Sequence, residues 1–209
     1  MASVEVMTAC ENVCRDFGWL PGVASILGDL GTFLVGVGVL AAFRQLSVWR
    51  SQAKALARAE SAKQCLIAAS EVDDALRFIR NPFDSIPKEQ AQEPGITYKR
   101  RNKRVIDSAD AFEQLRKAQI DHDIVLGLPA VTEAIDVLFR IRSDVLLAIE
   151  FLYEEIGNLD TDSETRELKK NWRRQMSGSY SERDDFGRQQ VEAVRTIRKE
   201  LSSIARLHD

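Results

Sequence analysis

The sequence predicts an all-α, membrane-anchored and oligomeric protein. It has an N-terminal amphipathic helix, one transmembrane helix continuing into a long helix, and a cytosolic helical bundle. Three observations predict it. Trp19 to Phe43 is a single apolar run whose only charged residue is Asp29. From Arg44 onward the apolar residues recur at helical spacing, and no stretch alternates with period two. Among 209 residues there are 11 glycines and 5 prolines, too few for a turn-rich β protein. The expected divisions are 1–18, 19–43 and 44–209.

In the first segment Val6, Met7, Cys10, Val13, Cys14 and Phe17 fall on one helical face. Gly18 and Gly22 permit a bend into the next segment. Cys10 and Cys14 lie one turn apart on the apolar side. Without further ligands they read as packing, and a disulfide between subunits is the alternative. A helix from Pro21 to Phe43 would span about 34 Å at 1.5 Å per residue, enough for a bilayer. Pro21 suits a first turn, and Trp19 suits an interfacial anchor. A buried core helix is the competing reading of the same run. Arg15 alone precedes it, whereas Arg44, Arg50, Lys54, Arg58 and Lys63 follow. The positive-inside rule therefore places the N-terminus outside and the C-terminus in the cytoplasm. A cleaved signal peptide would carry its positive charges ahead of the apolar run, not after it.

Within the span, Ala24, Gly28, Thr32 and Gly36 form a small-residue stripe that suits close helix approach in lipid. Ser25, Asp29, Thr32 and Gly36 form an adjoining polar or small face. A carboxylate inside a bilayer should face protein or water. In an oligomer, Asp29 would form a ring, and such rings favour cations. Its alternative place is near the outer headgroups. These six residues are the expected pore or oligomer interface.

Beyond the span, Arg44–Arg80 lacks glycine and proline. Leu46, Trp49, Ala53 and Leu56 keep coiled-coil spacing, and Cys65, Ala68, Val72, Leu76 and Ile79 resume it. Asn81-Pro82 stops the helix. A loop is expected through Thr97, then one helix from about Tyr98 to His122 with Val105, Ala109, Phe112, Leu115 and Gln119 inward. After Gly127-Leu128-Pro129 the next helix carries Val131 to Ile156 and ends at Gly157. A charged helix is expected at Ser163–Met176. The last helix carries Phe186, Val191, Val194, Ile197, Leu201 and Ile204.

Signatures of chemistry are few. No glycine-rich phosphate loop, HExxH or nucleophile elbow is present. Asp121-His122-Asp123 reads as a solvated helix end, since consecutive residues do not share a face. Glu150, Glu154 and Glu155 beside Tyr153 read as a charged face. No catalysis, cofactor or metal is expected. Formal net charge is −3, with 28 basic and 28 acidic side chains from Arg44 onward. Basic clusters are therefore local. Tyr98, Lys99, Arg100, Arg101, Lys103 and Arg104 form one; Lys169, Lys170, Trp172, Arg173 and Arg174 form another. Cations beside an aromatic ring suit phosphate contacts and base stacking on a single strand. Solvated faces or lipid headgroups are the alternatives. Positive charge at a helix start opposes the macrodipole, which a bound anion would relieve. The first cluster, beside a Pro/Gly loop, is the expected ligand site.

The layout of one span, then Phe43-Arg44-Gln45-Leu46-Ser47-Val48-Trp49-Arg50, then Ala75-Leu76-Arg77-Phe78-Ile79-Arg80-Asn81-Pro82-Phe83, resembles small bacterial single-span membrane proteins with helical cytosolic domains. In architecture it is similar to the channel-forming effectors of the Hailong anti-phage defence system. That resemblance implies a homo-oligomer in the bacterial inner membrane. It also implies a pore controlled by single-stranded oligodeoxyadenylate and, as partner, the nucleotidyltransferase that makes it. A non-conducting helical scaffold or sensor is the alternative.

Overall fold

A computed structural model describes residues 20–83, 86, 89, 92–158, 162–178 and 184–206; of 20–38 and 40 it describes the backbone alone. The expected segment 1–18 and Trp19 lie outside these residues. So do the side chains of Ala24, Ser25, Gly28, Asp29, Thr32 and Gly36. The described residues form helices without strands, as the apolar periodicity predicts. Among them no helix is long and apolar enough to cross a membrane; the side chains of the apolar run 19–43 lie almost wholly outside that set. The chain divides into two compact units, Met1–Lys54 and Ala55–Asp209.

Helix α1 is Leu20–Arg80. Residues 41–58 are all exposed. From Ala59 a buried stripe begins: Ala59, Ala62, Cys65, Ala69, Val72, Leu76 and Ile79. The three-and-four spacing keeps these residues on one face, and alanines let neighbouring helices approach. The helix ends before Asn81-Pro82, as expected, because proline disfavours helical backbone at the preceding residue. The Asn81 side chain then accepts a hydrogen bond from the Phe83 N–H (2.9 Å).

The predicted helix from Tyr98 to His122 is two helices, α2 (Ile96–Asp107) and α3 (Ala109–Val125). Ser108 separates them. Its hydroxyl donates to the Arg104 carbonyl at 2.7 Å, and its N–H donates to the same oxygen at 3.0 Å. A serine that competes for a backbone carbonyl weakens the regular ladder. The break turns Ala109 out to solvent, contrary to expectation, while Val105, Phe112, Leu115 and Gln119 face inward as expected.

Helix α4 is Pro129–Glu154, with proline in its first turn. It is the centre of the bundle and contacts α2, α3, α5 (Ser163–Met176) and α6 (Asp185–Ala205). Val131, Ile135, Leu138, Ile141, Val145, Ile149 and Leu152 are its buried line. It stops before Ile156, which is exposed. Helix α5 has the predicted limits. The Asp162 carboxylate caps it by accepting from the Thr165 N–H at 2.6 Å. Asp184 caps α6 through the Gly187 N–H at 3.1 Å. The buried line of α6 is Gly187, Gln190, Ala193, Ile197 and Leu201. Phe186, Val191, Val194 and Ile204 flank it. Gln190 sits inside because its amide donates to the Asp73 carboxylate at 2.6 Å and to the Asp73 carbonyl at 3.1 Å. A buried amide is tolerated when its hydrogen bonds are made.

Candidate functional site

Five cations within six consecutive positions cannot share one face of a helix whose residues advance by 100° each. The cluster on α2 is accordingly divided. Arg101 faces inward and is buried, with its guanidinium donating to the Met176 carbonyl (2.7 Å) and the Asn81 carbonyl (3.1 Å). It ties the ends of α1 and α5 to α2. Arg104 donates to the Phe78 carbonyl at 3.4 Å and lies over the Phe78 ring, 4.9 Å from its centroid. Lys103 is exposed and Arg100 is half-buried. Thus Arg100 and Lys103 face outward toward any external anion, Lys99 is exposed but paired with Glu93, and Arg101 belongs to the interior.

Tyr98, Lys99 and Asn102 turn toward α4. With Ile149, Glu150 and Tyr153 they line a cleft of about 260 Å³. One glycine sets the approach of the two helices here. Gly95, at the N-cap of α2, has φ 77°. A Cβ on it would meet the Ile156 side chain at 2.6 Å and the Tyr153 ring at 2.9 Å. Both the backbone conformation and the space therefore require glycine. Lys99 pairs with Glu93 at 2.6 Å. The hydrogen bond that Lys99 donates to Glu93, and then the Glu93 charge, hold the ammonium above its ordinary pKa, so Lys99 is a cation at neutral pH. The side chains of Tyr98, Asn102 and Glu150 have no hydrogen-bond or ion-pair partner among the described residues. The cleft thus offers two phenol rings, an apolar floor, an ammonium, an amide and a carboxylate. Sequence reasoning found Tyr98 and Lys99 but read Glu150 and Tyr153 as a charged face. The glycine before the α2 helix was the signal that a neighbour comes close.

In the second basic cluster Lys169 and Trp172 are built into the packing, whereas Lys170, Arg173 and Arg174 are exposed. Lys169 is buried; its ammonium donates to the Asn158 carbonyl and pairs with Glu155, each at 3.3 Å. Trp172 stacks on Phe151, with centroids 4.7 Å apart and planes 11° from parallel. Lys170 pairs with Glu167 at 3.2 Å.

Two buried polar features escaped the sequence pattern. Arg80, at the end of α1, pairs with Asp184 at 2.5 Å and donates to the Gln175 carbonyl at 3.1 Å. Gly178 lies so close that any side chain there would meet both the Arg80 guanidinium and the Asp184 carboxylate. His122 is fully buried, which corrects the expectation of a solvated helix end. Its Nδ1 lies 3.1 Å from the Asp123 carboxylate, and the Thr132 hydroxyl donates to that carboxylate at 2.6 Å. The Thr132 hydrogen bond is the main cause that holds the Asp123 carboxyl below its ordinary pKa. Among the described residues no group of three or more metal-binding side chains occurs. Cys65 is buried in the core, and burial pushes its thiol up to about 11. It stays protonated and unreactive at neutral pH.

The fold and the cleft together define a class: an all-helical domain with a small aromatic-lined cleft beside an exposed basic helix face. Compared with known proteins, the chain matches no family model, no curated protein and no solved structure.

Proposed function

We propose that the chain is a homo-oligomeric membrane effector, an ion channel or pore, whose helical domain binds a nucleotide or single-stranded nucleic acid. The single observation that carries this reading is a hydrogen bond. Arg101 donates to the carbonyl of Asn81 at 3.1 Å. Asn81 directly follows α1, the helix that contains most of the apolar run in its N-terminal part. Arg101 lies on α2, among the cations and beside the cleft that would hold the ligand. Occupation of the outer face of α2 can therefore bear on the end of α1 through one bonded contact.

Further support comes from α1 itself. Phe43, Leu46, Trp49 and Leu56 are exposed at 66%, 47%, 68% and 57%. Such exposed apolar side chains suit association or a lipid boundary. The stripe Ala24, Gly28, Thr32 and Gly36 would serve close helix contact, and Ser25 and Asp29 would face a cation path. The resemblance to Hailong effectors supplies the setting. It implies bacterial anti-phage defence at the inner membrane, with the N-terminus outside and a partner nucleotidyltransferase making oligodeoxyadenylate.

The test is reconstitution of the full chain in planar bilayers, with and without a short oligodeoxyadenylate. Conductance that responds to the oligonucleotide, with cation preference lowered by Asp29→Asn and lowered further or reversed by Asp29→Lys, is the expected result. An integral protein without conductance under every ligand condition would favour the scaffold reading instead.

A further inference from the structure

The chemistry of the cleft restricts which part of a nucleotide enters it. At about 260 Å³ the cleft is below the range of roughly 300–1,000 Å³ typical of sites for drug-sized ligands. It fits one ring system rather than a run of nucleotides. Tyr98, Tyr153 and Ile149 give it flat and apolar walls, the surfaces on which bases stack. Glu150 contributes a carboxylate, which accepts hydrogen bonds and repels a phosphate. Of the cations on this helix, Lys99 shares the cleft lining, whereas Arg100 and Lys103 lie outside it. Lys99 is at the rim, Lys103 stands one turn further along α2 and is exposed, and Arg100 lies between them. A nucleotide would therefore enter base first, with its phosphate following α2 outward.

Resting on the nucleotide reading above, we infer that this cleft is a base-selective subsite that prefers guanine, with the Glu150 carboxylate as the selecting group. An acceptor-only carboxylate matches two adjacent N–H donors. Guanine presents such a pair on its Watson–Crick edge, at N1 and the N2 amine. Adenine and cytosine each present one amine beside a ring nitrogen acceptor, and that acceptor would face the carboxylate lone pairs. Thymine has one N–H between two carbonyl oxygens. The Asn102 amide, with donors and an acceptor, remains for a second edge of the base. This preference differs from the adenine that the resemblance implies, so the two expectations compete directly. The shared chemistry, a guanine base followed by a phosphate, occurs both in free nucleotides and within strands.

The experiment is calorimetric titration of the detergent-solubilised full chain. The probes are GMP, IMP, AMP, CMP and ribose 5-phosphate, plus a short oligothymidylate with or without one central guanine. GMP should bind roughly tenfold more tightly than AMP or CMP, the lower part of the discrimination expected of a paired contact at a half-open site. IMP, which lacks the N2 amine, should fall between them. Binding of GMP alone identifies a free nucleotide as sufficient. Guanine-dependent binding only within the oligothymidylate identifies a strand. In Glu150→Gln the side chain offers one donor and one acceptor, so the preference should move from guanine to adenine. Glu150 is exposed, and this exchange leaves the core untouched.

Equal affinity for all bases, a native preference for AMP, or a guanine preference unchanged in Glu150→Gln would overturn the inference while leaving nucleotide binding intact. Absence of binding by every mononucleotide and strand would instead remove the nucleotide reading on which it rests.

Discussion

The basic clusters on α2 and α5 look alike in sequence, each a run of lysines and arginines beside an aromatic residue. They differ in what surrounds them. On α5, Lys169 is 5% exposed and bonded to Asn158 and Glu155, while Trp172 is already stacked on Phe151. On α2 one cation, Arg101, is likewise buried, at 2% exposure, and both helices keep exposed cations, but Tyr98 borders a cleft rather than a stacked ring. An aromatic ring stacked on another ring has one face fewer to offer a base. Cations with exposed heads can exchange water for phosphate; a buried lysine bonded to a carbonyl contributes to the fold instead. Local composition suggests ligand binding in both places, and tertiary context separates them.

Several substitutions sharpen or break this distinction. Arg101→Met should have the largest effect. It leaves the Met176 and Asn81 carbonyls without their donor, and such a loss costs roughly 2–4 kcal/mol. Lys103→Met, on the exposed side of the same helix, should change stability by less than about 0.5 kcal/mol. Urea denaturation followed by circular dichroism measures both, and equal midpoints for the two variants would abolish the division of α2 into an inner and an outer face. Gly95→Ala should follow, at roughly 1–3 kcal/mol, from the left-handed backbone and the approach of Tyr153 and Ile156. Its thermal midpoint should fall even in the absence of ligand.

Trp172→Ala and Tyr98→Ala should separate by assay. The first should lower stability, with a loss of roughly 1–2 kcal/mol for a partly buried stacked ring. The second should weaken ligand binding by roughly 1–3 kcal/mol if a base stacks on the phenol. A Trp172→Ala protein with native stability and lost binding would reverse the assignment.

The smallest expected effect is a pH dependence. The Asp123 carboxyl is held low, first by Thr132, so its contribution to stability is present above the ordinary carboxylate pKa and is lost as pH falls through the folded value. Thr132→Val should flatten the acid limb of a stability–pH curve below about pH 4 and cost under about 1 kcal/mol at neutral pH. An acid limb identical to that of the parent would show that this hydrogen bond does not set the carboxyl's behaviour.

How much of this was legible in the sequence varied with the kind of signal. Helix α5 has its predicted ends because it starts at an aspartate cap and stops at a serine–glycine turn. Helix α1 stops at Asn81-Pro82 because the constraint is covalent. The break at Ser108 left no comparable trace, since one serine among good helix formers is as common on a helix surface as at a cap. Gln190 of α6 is not named by the apolar pattern, because its burial depends on a carboxylate far along the chain. The same holds for the cleft. Tyr98 and Lys99 were visible as an aromatic beside cations, but Glu150 and Tyr153 join them only through the close approach at Gly95. Arg101 could be separated from its neighbours only by knowing which face of α2 meets α5.

The measurement that bears most directly on the contrast between the clusters is fluorescence anisotropy with a short labelled single strand, read across a salt series. Three proteins are compared: the parent, a variant with Lys99, Arg100 and Lys103 changed to alanine, and a variant with Lys170, Arg173 and Arg174 changed to alanine. Phosphate contacts make log affinity fall linearly with log salt, by roughly 0.7 per phosphate neutralised on a single strand. The α2 variant should bind weakly with a flattened slope, and the α5 variant should keep the affinity and slope of the parent. Equal weakening in both variants, or full binding by the α2 variant at every salt concentration, would contradict α2 as the ligand face.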